Sequence, residues 1–272
     1  MARVVVVTGA GSGIGRRIVC ALVARGDEIL ATDVDLAALR KAAGEEAWPS
    51  ERVSCEELDV RSAEQWGRAL RGVVAAHGRV DVLVNNAGVL RSGRLQDLEP
   101  RDVDFHLDVN AKGLILGTIA AAKLMVPRRE GHIVNVASLA GIAPVPGLSL
   151  YAASKHAARG FSLSAALELR EHGVFVSCVC PDAVATPMLD IQIDRPEAAL
   201  TFSGGRALTA DEVAGAIVDK VLVERPIELA LPTTRGWSAK LGSAFPAAGA
   251  RMLGALMARG RKQQARASRS DR

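Results

Sequence analysis

Short apolar runs alternate with longer stretches of helical period from the N-terminus to about residue 232. Arg3 to Thr8 contains the uninterrupted β-branched run Val4 to Val7, the pattern of a strand buried on both faces. Further strands are predicted over Glu28–Thr32, Arg52–Leu58, Asp81–Val84, His132–Ala137, Val174–Cys180 and Ile227–Leu231. Helical patterns lie between them, the first running through Ala24. Alternating strands and helices imply a parallel sheet with helices on both faces, hence an α/β fold. At 272 residues the chain fits one such domain, and no internal repeat or linker divides it.

The first turn reads Thr8-Gly9-Ala10-Gly11-Ser12-Gly13-Ile14-Gly15. Strand, glycine turn, helix is the setting a dinucleotide loop requires. Glycines let the backbone approach a pyrophosphate, and the helix N-terminus offers free N–H groups at a positive dipole end. The spacing is Gly9-x-x-x-Gly13-x-Gly15, not G-x-G-x-x-G, and a glycine turn that binds nothing is the other reading of the motif alone. Asp33 ends the second strand, where a carboxylate accepts hydrogen bonds from ribose hydroxyls and repels a 2′-phosphate. Ser12 supplies no cation for such a phosphate, and Arg16 and Arg17 are read as the exposed face of the first helix. The expected cofactor is therefore NAD, with NADP disfavoured.

Tyr151, the only tyrosine, stands four residues before Lys155 in a segment that reads as helix. Residues i and i+4 share a helix face. An ammonium ~4 Å from the phenol, at an effective dielectric of ~20, would favour phenolate by roughly 4 kcal/mol. The phenol is therefore expected to be drawn from its ordinary pKa of ~10 toward neutrality, where it can act as acid or base at a carbonyl or alcohol. A surface aromatic resting on a lysine stem is the alternative for this pair taken alone.

Three further strings are Asn85-Asn86-Ala87-Gly88 after a strand, Asn110 after a helical stretch, and Ser138 thirteen residues before Tyr151. With the glycine turn and the Tyr-x-x-x-Lys pair they resemble the short-chain dehydrogenase/reductase family, in order and spacing, over about residues 3 to 232. That resemblance implies a single-domain, Rossmann-type doubly wound sheet. It implies that Tyr151 is the acid/base, that Ser138 bonds the substrate oxygen, and that Lys155 binds the nicotinamide ribose and lowers the pKa of Tyr151. Asn110 would hold a water that links Lys155 to solvent. Asp59 and Val60 would contact adenine, Asn86, Ala87 and Gly88 would line the adenosine side, and Val184 and Thr186 would reach the nicotinamide. Gly9, Ser12, Gly13, Ile14, Gly15, Asp33 and Pro181 complete the expected cofactor site, and no metal is required. Asp182 departs from the family's Pro-Gly after the sixth strand; a side chain pointing to solvent is the favoured reading, a tightened substrate loop the other.

Leu139 to Leu150, which holds no charged group, and the segment after Pro181 to about Arg206 are expected to contact substrate. Met188, Leu189, Ile191, Ile193 and Phe202 in the latter suggest a mostly apolar alcohol or carbonyl compound. The implied function is interconversion of a secondary alcohol and its carbonyl product by hydride transfer; a catalytically idle nucleotide-binding sensor or scaffold is the alternative.

The net charge of +4 conceals an asymmetry. Residues 235–272 hold nine Lys/Arg and one acid, hence +8, and residues 1–234 carry −4. Residues 235–272 are thus expected to be a basic amphipathic extension of the catalytic domain 1–234. Leu241, Phe245, Met252, Leu256 and Met257 suggest an apolar stripe, which Pro246 divides into two short helices. The end from Gly260 is expected to be unstructured. The extension could meet anionic lipid, cover the substrate cleft or a subunit interface, or be a solvated tail. A homodimer or homotetramer is expected, and no nucleic-acid partner, since the extension has no aromatic platform. No apolar run of the ~20 residues that span a bilayer is apparent, nor a signal peptide. The four cysteines match no zinc spacing, and Cys178 and Cys180 read as buried thiols. A cytoplasmic location follows as the expectation, with peripheral membrane contact through the extension as an addition.

Overall fold

The computed structural model describes residues 2–270. The valine run forms β1 (Val4–Thr8). Successive strand residues point to opposite faces. Val5 and Val7 accordingly enter one apolar cluster, and Val4 and Val6 enter another on the far side. The chain continues through α1 (Gly13–Ala24), β2 (Glu28–Asp33), α2 (Leu36–Glu45), β3 (Val53–Glu57), α3 (Ala63–His77) and β4 (Val82–Asn85). Next come α4 (Pro100–Leu107), α5 (Leu114–Met125), β5 (Gly131–Val136), α6 (Ser149–Arg170) and β6 (Val174–Pro181). They are followed by β7 (Val184–Ala185), α7 (Pro187–Asp190), β8 (Leu208–Thr209), α8 (Ala210–Gly215), α9 (Leu222–Glu224) and β9 (Glu228–Leu231). Two further helices follow, α10 (Thr233–Ala244) and α11 (Pro246–Ser270).

Seven strands pair in parallel in the order β3-β2-β1-β4-β5-β6-β9. These are the seven predicted strands, each within one residue of its expected ends. The order reverses between β1 and β4, which opens a crevice at their C-terminal ends. β7 and β8, too short to show a periodicity, pair separately. Helix ends follow local chemistry. The Ser62 hydroxyl accepts from the Gln65 amide at the start of α3, and Gly78 ends it in the left-handed conformation. Thr209 and Glu212 form a capping box at α8.

Two differences from expectation concern helices. Residues Pro100–Arg128 form one helical run, long and apolar enough by composition to cross a bilayer. It is a core helix here: α5 packs on α3, α6, β4 and β5, and a turn of π-helix at Asp108–Gly113 buries Asn110. The second difference is α11, which is helical through Ser270 rather than unstructured from Gly260. Gly260 permits its close approach, since a Cβ there would lie 1.9 Å from the Ala199 carbonyl oxygen. Buried Gln264 donates to the carbonyls of Gln192 and Arg195, each at 2.8 Å. Ser268 donates to Asp194 at 3.1 Å. The apolar-poor composition that suggested disorder supplies a small and polar packing face instead. The expected apolar stripe also divides: Leu241, Phe245 and Met252 are exposed, while Leu256 turns toward the cleft.

Candidate active site

The glycine turn closes over the end of β1. Gly9 has φ +66, and a Cβ there would come within 2.8 Å of the Ala87 Cα. A Cβ on Gly15 would meet the Gly9 carbonyl oxygen at 2.1 Å, so that helix start tolerates no side chain. The Thr8 hydroxyl accepts from the amides of Asn86 and Ala87 at 3.0 Å each. Asn86 Nδ2 returns bonds to the carbonyls of Thr8 and Gly9, at 3.0 and 3.2 Å. These bonds clamp the β4 end to the glycine turn and form a cradle of bare backbone.

Asp33 stands at the lip of this cradle. Its two oxygens accept from the amides of Gly11 (3.0 Å) and Asp35 (3.1 Å), leaving lone pairs for further donors. Arg16 is held by Glu45 and Glu46, and Arg17 by Glu46 and Asp211. Neither arginine lines the cleft. Ser12, Gly13, Ile14, Asp59, Val60, Asn86, Ala87 and Gly88 do. Arg61 beside it holds the Asp59 carboxyl below its usual range, and Val60 is buried where Gly113 has no side chain. Thr186 approaches Gly13 from across the mouth, its methyl 3.2 Å from where a Cβ would stand. Pro181 and Val184 line the same side.

Deeper in, Ser138 follows β5 and its hydroxyl accepts from the Ala140 amide at 3.1 Å. Tyr151 and Lys155 project from the first two turns of α6, both buried. Asn110 reaches α6 from the π-helical turn, beside Lys155 rather than on it. Its Oδ1 accepts from the Val89 amide at 2.8 Å, and its Nδ2 donates to the Val89 carbonyl and the Ser154 hydroxyl. Gly88 fits between, since a Cβ there would meet Asn110 Oδ1 at 3.2 Å and Lys155 Nζ at 3.5 Å. Ser138, Tyr151 and Lys155 thus line one cleft with the cradle, while Asn110, expected beside them, is buried behind that wall.

The charge state of the pair differs from expectation. Lys155 Nζ donates to the Val136 carbonyl at 3.0 Å and lies 5.8 Å from the centre of the Tyr151 ring. Burial pushes the phenol up to about 12, opposed by the nearby Ser138 hydroxyl, and pushes Lys155 down to about 8. Desolvation penalises each charged form. The ammonium bonds the strand end 19 residues away instead of the phenol four residues away.

Asp182 also corrects its favoured reading. Its side chain does not point to solvent; it lines the cleft and forms an ion pair with Arg235 on α10. Burial raises its carboxyl, and Arg235 opposes the shift. The loop after β6 is thereby tied to the C-terminal helices.

Beyond the cradle the cleft extends to about 860 Å³ in all. Leu139, Val145 and Leu148 from the first expected substrate segment line it, as do Met188 and Leu189 from the second. Ile191 is exposed instead, and Phe202 borders a smaller side cavity. The α11 residues Ala250, Met252, Leu253 and Leu256 complete the wall. Leu253 was not anticipated. The signal is Gly249, Leu253, Leu256, Gly260 and Gln264, steps of three and four that mark one helix face. Gln192, also missed, is buried and bonded to Met188 and Thr201.

The model of the short chain dehydrogenase family matches residues 3–196. The sex determination protein tasselseed-2 of Zea mays is 43% identical over 195 residues, 69% of this chain and 56% of that protein. The chain thus matches little more than half the length of that relative. Cyclopentanol dehydrogenase of Comamonas testosteroni is 34% identical over 221 residues, covering 79% and 88%. Among solved structures, a short-chain dehydrogenase/reductase from Burkholderia phymatum in complex with NAD superposes with TM-score 0.78 at 29% identity, covering 88% of this chain and 92% of that one. ElxO with NADP bound superposes with TM-score 0.77 at 25% identity, covering 85% and 97%.

Proposed function

The chain belongs to the short-chain dehydrogenase/reductase family, and from that premise we propose that it is an NAD(H)-dependent oxidoreductase interconverting a secondary alcohol and its carbonyl product on a mostly apolar substrate. The observation that carries the proposal is the single cleft in which Ser138, Tyr151 and Lys155 stand beside the glycine cradle, with Asn110 buried behind them. A group with a pyrophosphate fits this cradle, because Gly9, Ser12, Gly13 and Ile14 line the cleft at the start of α1, whose first amides have no partner within the helix. Gly9, Ser12, Gly13 and Ile14 would face the pyrophosphate, and Asp33 the adenosine ribose. Asp59, Val60 and Asn86 to Gly88 would border the adenine side, and Lys155, Pro181, Val184 and Thr186 the nicotinamide side. When bound, the nicotinamide gives or takes hydride, and the protein supplies orientation and the proton.

In this proposal Tyr151 Oη exchanges that proton with the substrate oxygen. The Ser138 hydroxyl donates to the same oxygen and steadies the charge that develops there. Lys155 keeps a positive charge beside the phenol and binds ribose. Asn110 positions: its side chain holds Val89 and Ser154, and so fixes the floor under Gly88 and the Lys155 turn. The apolar walls exclude water and select an apolar substrate.

Asp33 sets the cofactor. Arg16 and Arg17 are committed to Glu45, Glu46 and Asp211, and Arg61 to Asp59, so each of the three already has a carboxylate in place of a 2′-phosphate. Hydrogen bonds to a charged acceptor contribute roughly 1.5–3 kcal/mol each. Asp33→Ala should therefore weaken NAD by roughly tenfold or more and NADP far less. The test follows nicotinamide absorbance with apolar secondary alcohols, cyclopentanol included, and either cofactor. Turnover with NAD is expected; a wild-type preference for NADP in kcat/KM would overturn the cofactor assignment, and no turnover with any alcohol or ketone would overturn the reaction.

A further inference from the structure

We propose that the outer faces of α10 and α11 form a docking surface for an anionic lipid bilayer, at the mouth of the substrate cleft. Trp237 and Leu241 on α10 and Phe245 at its C-cap recur every four residues and are 65, 60 and 65% exposed. Side chains at that spacing form one ridge. Met252 on α11 is 63% exposed and also lines the cleft, so apolar surface continues from the exterior into the pocket.

Charge identifies the occupant. With about 3.6 residues per turn, Arg251, Arg259, Lys262 and Arg266 fall on one stripe of α11, close in phase to Met252, and all four are exposed. Arg235 and Lys240 are held by Asp182 and Glu228. Arg251, Arg259 and Lys262, by contrast, meet no acid within salt-bridge reach among the described residues. A two-fold contact between copies of this chain would set the same cationic stripe against itself. An anionic headgroup layer neutralises it, and an indole beside an apolar ridge suits the interfacial zone of a bilayer. The −4 charge of residues 1–234 against +8 for residues 235–272 turns the extension toward such a surface and the body away. Docking rests on this geometry alone; entry of an apolar substrate from the bilayer through the Met252 rim rests also on the oxidoreductase proposal.

The test is co-sedimentation of the full chain with vesicles of phosphatidylcholine, with and without about a third phosphatidylserine. Variants Trp237→Ser/Phe245→Ser and Arg251→Glu/Arg259→Glu, all outside the cleft lining, are compared after circular dichroism confirms folding. The wild type should bind the anionic vesicles, lose them at about 0.5 M salt, and bind neutral vesicles weakly. Each variant should lose roughly tenfold or more in affinity. Tyr151→Phe should bind as the wild type does, which separates docking from chemistry. Equal binding by the charge-reversed variant would overturn the proposal. So would absence of vesicle binding together with a dimer that dissociates in the Trp237→Ser/Phe245→Ser variant, which would assign the ridge to a second copy.

Discussion

Burial outweighs charge proximity at the proposed catalytic pair. Tyr151 and Lys155 share a helix face, as their spacing predicts, because that relation is local to α6. The Lys155 bond to Val136 is not local, and only the packing of the start of α6 on the end of β5 creates it. The sequence therefore discloses the pair but not its resting charge, nor the ion pair of Asp182 with Arg235. Because Tyr151 is the only tyrosine, its phenol can be followed alone. In protein carrying Cζ-labelled tyrosine, the single carbon resonance of the ligand-free form should still report a neutral phenol at pH 10, where a solvated phenol is about half ionised. Ionisation at or below pH 10 would mean that Lys155, not desolvation, controls the free state.

Elements built from continuous apolar runs are the ones the sequence discloses. Most strands of the sheet are built around such runs, with turns or helical stretches to bound them; the edge strand β3, with Glu56 and Glu57 exposed, is the exception. The end of α11 from Gly260 escaped because its packing face is Gly260, Gln264 and Ser268, whose partners in 192–199 are distant in the chain. β5 and β6 carry a further consequence. His132 on β5 lies 2.9 Å from the Ser177 hydroxyl on β6. Burial first, then Arg225 and Arg3, lowers its pKa from 6.5 to about 4. The unfolded chain thus takes up this proton near pH 6.5, and the folded chain only near 4. Stability from His132 is full above pH 6.5 and is lost as pH falls toward 4, by up to roughly 3 kcal/mol. Urea midpoints measured from pH 7 to 4 should fall, and His132→Asn should flatten that slope. An unchanged slope in the variant would place the dependence on other groups.

At the scale of the molecule, one cleft joins a backbone cradle at the β1–β4 crevice to an apolar pocket that the C-terminal helices close. The cradle was readable because glycine turns and strand ends carry their own signature. The lid was readable only in part: covering the cleft is one of the roles expected of the extension, and helical steps put Leu253 and Leu256 on one face, but nothing local shows that this face meets residues of 188–203. Gly260→Ala should shift α11 off Ala199. The KM for large apolar alcohols should rise several-fold while NAD affinity stays unchanged; an equal loss in both would mean that α11 supports the cradle as well. The central claim is that Tyr151 moves the proton at the substrate oxygen in a cleft that binds NAD without it. Its most direct test pairs turnover of the wild type and Tyr151→Phe on one alcohol substrate with the NAD dissociation constant of each. The expected result is loss of turnover by roughly a hundredfold or more with NAD affinity within about twofold, a difference of ~0.4 kcal/mol. Turnover near that of the wild type in Tyr151→Phe would contradict it.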